Sequence, residues 1–153
     1  MGPEAVMRVV VDTHTVMAAL LFGGAPAKLI PLWKAGRIKP YASREIVAEY
    51  LKVMAYPVFN LTEREMEYLL YRELLPSFEV APVRPPKKSA QRAVSNDKFI
   101  RCARAADARP IISGDRRLLA LKSYDRIPIL TASEFLEQAQ KRIKTEKNVI
   151  TNG

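Results

Sequence analysis

Short apolar runs alternate along this chain with longer stretches of helical periodicity. The short runs lie at residues 7–11, 39–42, 78–81, 110–113 and 127–130, and each has the length of a buried strand. Strands that alternate with helices are typical of a parallel sheet covered by helices. The pattern therefore predicts an α/β fold.

The stretches between these runs carry helix signals of different strength. Residues 16–22 are apolar nearly all round and predict a buried helix, and residues 26–36 predict a second helix that Pro31 weakens. In the stretch 44–55, the apolar residues that gather within about 140° of a helical projection are Ile46, Val47, Tyr50, Leu51 and Met54. Capping residues mark three later helix starts: Thr62 with Glu65, Ser95 or Asn96 before residues 97–107, and Ser133 before Glu134.

The length of the chain favours one domain. Its 153 residues, 48% of them hydrophobic, suffice for one real core. We expect residues 7–138 to form that domain, residues 1–6 a short N-terminal arm, and residues 139–153 a basic C-terminal tail. No apolar run approaches the roughly 20 residues that span a bilayer, and the N-terminus does not resemble a signal peptide. We therefore expect a soluble, cytoplasmic protein without a membrane partner.

The composition narrows the chemistry. A single cysteine and a single histidine exclude an intramolecular disulfide, a cysteine zinc cluster and any site that needs two imidazoles. A metal bound here would need oxygen ligands. The 25 basic and 16 acidic residues leave a formal net charge of +9, which favours a polyanionic partner such as nucleic acid. A lysine-rich solvated surface is the alternative interpretation.

Acidic residues follow two predicted strands and begin one predicted helix. Asp12 comes directly after residues 7–11, and Asp115 comes just after residues 110–113. Ligands of an open parallel sheet bind outside the carboxyl ends of its strands, where the strand order reverses. Asp97 begins a helix that leads into the strand at 110–113, so it should start at the same edge. The sequence therefore predicts that three carboxylates point to one place.

A fourth carboxylate comes from the helix at 44–55. Glu49 lies roughly 130° from the centre of the apolar stripe and Glu45 roughly 170°, so Glu49 is better placed to look inward. Crowded carboxylates repel one another unless a cation neutralises them. Magnesium or manganese does so with oxygen ligands and can activate a water at a phosphodiester. Taken singly, each acid also fits a turn, a helix cap or a solvated side chain.

Four segments together resemble the PIN-domain family: VVVDTHTVMAALLFGG, ASREIVAEYLKVMAYP, NDKFIRCARAADARPIISGDRRLLAL and IPILTASEFL. The resemblance covers about residues 7–136 and is greatest to toxins of toxin–antitoxin pairs related to VapC-type ribonucleases. It implies a three-layer α/β/α sandwich with a parallel sheet of about five strands, and an endoribonuclease dependent on Mg²⁺ or Mn²⁺. By position, the family's acidic quartet of catalytic and metal-binding residues corresponds to Asp12, Glu49, Asp97 and Asp115.

The resemblance also implies supporting residues and partners. Thr13 and Ser113 match hydroxyl positions of the family. His14 stands where the family commonly has asparagine, and Arg117 stands where this group often carries a further acid. Arg116 and Arg117 are candidates to bind the substrate because they follow the last acid of the quartet. The implied partners are RNA, a small cognate antitoxin, and a second copy of the chain in a homodimer or higher homo-oligomer.

These observations leave two function classes open. The first is a metal-dependent endoribonuclease, either a toxin or an RNA-processing enzyme. The second is a PIN-like module that binds RNA or protein without cutting, which the departures at His14 and Arg117 keep open. A phosphatase of the haloacid-dehalogenase type is disfavoured, because that chemistry needs a second aspartate where His14 stands.

Overall fold

The structure of the chain is a computed structural model that describes residues 6–84, 94 and 97–151. For residues 143–151 it describes the backbone helix alone. Residues 1–5 of the expected arm and the candidate caps Ser95 and Asn96 lie outside the described residues.

One sheet of six strands has the order β3-β2-β1-β4-β6-β5. The strands are β1 (Met7–Val11), β2 (Ile38–Ala42), β3 (Glu79–Val80), β4 (Ile111–Ile112), β5 (Ser123–Tyr124) and β6 (Ile127–Leu130). All neighbours pair in parallel except β5, which runs antiparallel to β6. Helices lie on both sides of the sheet, so the predicted α/β sandwich with five parallel strands is confirmed.

The described helices are α1 (Thr13–Leu21), α2 (Gly24–Ala27), α3 (Leu29–Lys34), α4 (Arg44–Met54), α5 (Glu63–Tyr68), α6 (Lys98–Ala106), α7 (Arg116–Leu119) and α8 (Ala132–Thr151). The chain continues from α5 into a π-helix at Leu69–Leu74, and Pro57–Phe59 form one 3₁₀ turn. The Thr62–Glu65 capping box is present as predicted.

Three predicted helix boundaries are wrong. The single helix expected at 26–36 is two short helices that meet at Lys28, and Pro31 fits because it lies in the first turn of α3. The cap of α6 is Asp97 itself, whose carboxylate accepts the backbone N–H groups of the first turn. Thr131 exchanges hydrogen bonds with Glu134, so α8 begins before the expected cap Ser133.

The core lies on the central strands. Val9, Val10 and Val11 of β1 are fully buried, as are Ile46 and Tyr50 on the inner face of α4. The predicted stripe of α4 is confirmed except at its rim, where Leu51 is exposed. No single helix of the described chain is long and apolar enough to cross a membrane. Helix α1 and the segment Gly24–Lys34 together have the length and apolar composition of a membrane span, but they are bent by 84° relative to each other.

The strand order reverses between β1 and β4. From β1 the chain adds β2 and β3 on one side, and then returns to place β4, β6 and β5 on the other side. The backbone N–H of Asp12 donates to the carbonyl oxygen of Ile112 at 2.9 Å, which holds the carboxyl ends of β1 and β4 together. A crevice at this switch point is the usual ligand position in an open α/β sheet.

Candidate active site

Asp12 lies at the switch point, immediately after β1. Its side chain is 2% exposed and caps α1, because Oδ1 accepts the backbone N–H of Thr15 at 2.9 Å. Oδ2 accepts the hydroxyl of Ser113 at 2.6 Å and the backbone N–H of Gly114 at 3.1 Å. The buried carboxylate therefore has three donors, one from the first turn of α1 and two from the segment after β4, and hydrogen bonds to an ionised group are strong.

The segment Ser113-Gly114-Asp115, which follows β4, supplies two of the donors to Asp12. The hydroxyl of Ser113 also accepts the backbone N–H of Asp115 at 2.9 Å, so this one side chain links the two aspartates. A Cβ added at Gly114 would lie 2.6 Å from Cδ2 of His14. Glycine is therefore needed at this position as long as the exposed ring of His14 keeps its place.

Asp115 caps α7 and is more accessible than Asp12. Its Oδ1 accepts the backbone N–H of Arg117 at 2.8 Å, and its Oδ2 lies 3.3 Å from Nη2 of the same arginine. Partial burial alone would raise the pKa of Asp115, but the backbone N–H and the guanidinium of Arg117 outweigh it and lower the pKa. The carboxyl group is thus held in its charged form.

Glu49 enters the site from the second turn of α4. Its Oε1 accepts the hydroxyl of Thr13 at 2.6 Å, and its Oε2 lies 2.6 Å from Nζ of Lys98. Thr13 directly follows Asp12, so Glu49 is joined to the end of β1. The choice of Glu49 over Glu45 agrees with this geometry, since Glu45 pairs with Arg101 and its side chain is 50% exposed.

Asp97 stands at the start of α6, next to Lys98. Its Oδ1 accepts the backbone N–H groups of Phe99 and Ile100 at 2.8 and 3.2 Å. The ammonium group of Lys98 reaches from this helix start to Glu49 on α4. Ser113 therefore links the carboxylate of Asp12 to the backbone N–H of Asp115, and Lys98 links the start of α6 to Glu49. The hydrogen bonds described for the Asp97 carboxylate lie within the first turn of α6.

Tyr50 holds α4 against the end of β1, beside the site. Its buried hydroxyl donates to the carbonyl oxygen of Val11 at 2.6 Å and ties α4 to the last residue of β1. Burial raises the pKa of Tyr50 well above its usual value, and the negative charges of Asp12 and Glu49 raise it further. Tyr50 therefore remains a neutral hydrogen-bond donor.

The candidate substrate-binding residues lie on the surface beside Asp115. Arg116 and Arg117 are exposed in α7, and the Arg117 side chain is 91% exposed. An open groove of about 930 Å³ lies next to the carboxyl ends of β2 and β3, and its lining includes Arg44, Arg84 and Arg101. Part of the basic excess of the chain therefore lies along this groove, where Arg101 pairs with Glu45.

The four acidic side chains are not gathered closely enough to bind one metal ion. Among the residues that the structure describes, no three His, Cys, Asp or Glu side chains form a group that could hold a metal ion. Glu49 contacts Lys98 instead, and Asp115 contacts Arg117. The donor set nevertheless consists of carboxylate oxygens, which Mg²⁺ and Mn²⁺ prefer.

Sequence reasoning missed two contributors to the site. Lys98 is adjacent to a predicted quartet residue, but nothing in the sequence shows that its ammonium group crosses to Glu49. Gly114 contributes a backbone N–H to Asp12 and space for His14. The signal was available in the Ser-Gly-Asp order, since glycine is favoured where backbone or another side chain approaches closely.

Comparison with known proteins gives one match. A family model described as PIN domain matches residues 8–117, well over half of the chain, and the match includes all four acidic residues. No curated protein and no solved structure matches the chain.

Proposed function

We propose that this chain, which belongs to the PIN-domain family, is a metal-dependent endoribonuclease. Members of this family are generally nucleases. One observation supports the proposal: the buried carboxylate of Asp12 lies at the switch point of the sheet and is linked through Ser113 to the backbone of Asp115. Glu49 joins the same place through the hydroxyl of Thr13, the residue after Asp12.

Each residue has a distinct part in this function. Asp12, Asp97 and Asp115 would hold Mg²⁺ or Mn²⁺, with Glu49 as a direct ligand or through a water. When bound, such an ion supplies Lewis-acid stabilisation of the charge that develops on the phosphodiester. Thr13 and Ser113 position the carboxylates by the hydrogen bonds described above.

The basic residues act on the substrate. Arg116 and Arg117 lie beside Asp115, where guanidinium groups can bind phosphate oxygens of RNA. His14 is exposed next to Gly114, and its ring would donate to the phosphate backbone of the RNA. The arginine-lined groove offers a path for the rest of the strand. We place this activity in the cytoplasm, where its RNA substrate is found.

The direct test compares two glutamates of α4. Glu49→Gln removes a quartet charge, and Glu45→Gln removes a similar charge one turn earlier, from a side chain that is also paired with a basic residue of α6. Cleavage of labelled single-stranded RNA is measured with Mn²⁺, with Mg²⁺ and with excess EDTA. We expect wild type and Glu45→Gln to cut only with metal, and Glu49→Gln to lose about 10²-fold or more of the rate.

A noncatalytic RNA-binding module is the second candidate. The absence of a metal-holding group among the described side chains, together with the Lys98 and Arg117 contacts, favours it. In that case wild type binds RNA but does not cut it with either metal, and Glu49→Gln binds as well as wild type. Equal metal-dependent cutting by wild type and Glu49→Gln would contradict the noncatalytic candidate and the proposed role of Glu49.

The resemblance to toxins extends the proposal to protein partners. A toxin of this kind would form a homodimer or higher homo-oligomer and would be held inactive by a small cognate antitoxin. Light scattering after size-exclusion chromatography measures the first. Co-expression with a small neighbouring open reading frame, followed by the same RNA assay, measures the second: an antitoxin should suppress cleavage, whereas an RNA-processing enzyme should be unaffected.

A further inference from the structure

Lys98 contacts a predicted acidic residue of the site, Glu49, from the start of α6. Its Nζ lies 2.6 Å from Oε2 of Glu49, and its side chain is 29% exposed. The other oxygen of Glu49 already accepts the Thr13 hydroxyl at 2.6 Å. Both oxygens of Glu49 are therefore engaged, and a divalent cation that uses this carboxylate must compete with the ammonium group.

A second lysine–glutamate pair shows what an ordinary ion pair of this fold looks like. Lys34 and Glu73 also lie 2.6 Å apart, and they connect α3 to the π-helix that follows α5. That pair lies far along the chain from every quartet residue. Lys98, in contrast, is the residue after Asp97 and reaches another acid of the same site. The two pairs have the same distance but different surroundings.

We propose that Lys98 is an exchangeable resident cation of the active site, a proposal that rests on the proposed nuclease function. While no divalent ion is bound, its ammonium group neutralises Glu49 and limits repulsion among the carboxylates. A divalent ion displaces it from Glu49. The displaced ammonium group stays attached at the start of α6, next to Asp97, and contacts a phosphate oxygen of the RNA.

The chemistry of lysine suits this exchange. Its ammonium group is a compact charge on a flexible stem with three donors, so it can change partner without a change in the backbone. A partly exposed ion pair is also weak, which keeps the displacement feasible. The ring of Phe99, whose centroid lies 5.4 Å from Nζ, offers a second surface for the charge.

The test uses Mn²⁺ alone as the first probe and RNA as the second. Lys98→Met removes the resident charge, and Lys34→Met is the matched control from the other pair. Titration calorimetry without RNA gives the dissociation constant for Mn²⁺. We expect Lys98→Met to bind Mn²⁺ about tenfold more tightly, because one competing positive charge is gone, and Lys34→Met to stay within about twofold of wild type.

Two further measurements separate exchange from a structural role. In a Glu49→Gln background, Lys98→Met should no longer tighten Mn²⁺ binding, since the shared carboxylate has been removed. At saturating Mn²⁺, Lys98→Met should raise the KM for RNA about three- to tenfold with a smaller change in kcat. Tighter metal binding together with weaker RNA binding is a combination that loss of packing does not produce. Lys98→Gln repeats the experiment if the methionine variant does not fold.

The outcomes distinguish the two proposals. Equal or weaker Mn²⁺ binding by Lys98→Met, or tightening that persists in the Glu49→Gln background, overturns the exchange while wild type still cleaves RNA. If wild type neither binds Mn²⁺ nor cleaves RNA, the nuclease function is wrong and the exchange falls with it. If wild type binds Mn²⁺ without cleaving RNA, only the nuclease function fails, and the dissociation constants still decide the role of Lys98.

Discussion

Asp12 and Asp115 hold the same place in two strand–helix units, but the fold depends on them to different extents. Each follows a strand and caps the next helix. Asp12 is 2% exposed, and besides the N–H of Thr15 in its own helix it accepts hydrogen bonds from Ser113 and Gly114 at the end of another strand. Asp115 is one-third exposed, and its donors, chiefly Arg117, lie within its own helix.

The difference shows that an aspartate that follows a strand and caps a helix can be either a structural residue or an accessible one. An aspartate after a buried strand becomes part of the architecture when neighbouring strands donate to it, because removing its charge leaves buried donors without a partner. The same residue at an exposed short helix can be changed with little effect on folding. Activity and stability should therefore separate at Asp115 and fall together at Asp12.

Asp12→Asn should have the largest effect. Both oxygens of Asp12 accept hydrogen bonds, so the amide nitrogen of asparagine must face at least one N–H donor, either that of Thr15 or that of Gly114. We expect the free energy of unfolding to fall by about 1–3 kcal/mol and RNA cleavage to be lost. Urea denaturation followed by circular dichroism measures the first, and the RNA assay measures the second. Unchanged stability would contradict the architectural role.

Asp115→Asn should lose activity without losing stability. Asparagine caps helices about as well as aspartate, and its carbonyl oxygen can still accept the backbone N–H of Arg117. We expect cleavage to fall about 10²–10³-fold, while the free energy of unfolding changes by less than about 1 kcal/mol. The same two assays check this, run beside Asp12→Asn. The comparison breaks down if Asp115→Asn is as unstable as Asp12→Asn.

Ser113→Ala should have an intermediate effect, because the hydroxyl group links the two aspartates. Its side chain is buried, and its loss leaves Oδ2 of Asp12 with one donor fewer and the N–H of Asp115 without an acceptor. We expect a loss of about 1–2 kcal/mol in stability and about tenfold in cleavage rate.

Ser43 provides the matched control for Ser113. It is also a buried serine that follows a strand, and its hydroxyl accepts the backbone N–H of Ile46 at the start of α4. Ser43→Ala should cost about 1 kcal/mol in stability and leave cleavage within about twofold of wild type. A loss of cleavage as large as that of Ser113→Ala would mean that stability alone explains both.

The parallel sheet and its five parallel strands were predictable, because they depend on periodicity. Apolar runs of strand length predicted the five parallel strands, and the rule for parallel sheets brought Asp12 and Asp115 to one edge. The helical projection favoured Glu49 over Glu45 by a difference in angle of only about 40°, and the contacts of the two side chains agree. Their catalytic role stays a prediction.

The remaining features depend on contacts that a linear pattern does not contain. Strand β5, Ser123–Tyr124, contains no run of apolar residues, so the sequence pattern does not indicate it. The start of α8 was misplaced because Thr131 and Ser133 are both plausible caps, and only the reciprocal bond to Glu134 distinguishes them. The bridge from Lys98 to Glu49 joins two helices whose separation is set by packing between α4 and α6.

Arg117→Gln should have the smallest effect, and it tests what holds Asp115 charged. Removing the guanidinium should raise the pKa of Asp115 toward its usual value, although the backbone N–H of residue 117 still lowers it. A carboxyl group whose pKa is lowered on folding stabilises the protein at pH above its unfolded-state pKa, and this stability is lost as the pH falls through its folded-state pKa. Arg117→Gln should narrow the acidic pH range between these two pKa values. It should change stability at neutral pH by less than about 0.5 kcal/mol, since the Arg117 side chain is 91% exposed. Carboxyl NMR titration measures the shift, with Arg116→Gln as the neighbouring control. An unchanged pKa of Asp115 in Arg117→Gln would mean that the backbone N–H groups at the start of α7 alone lower it.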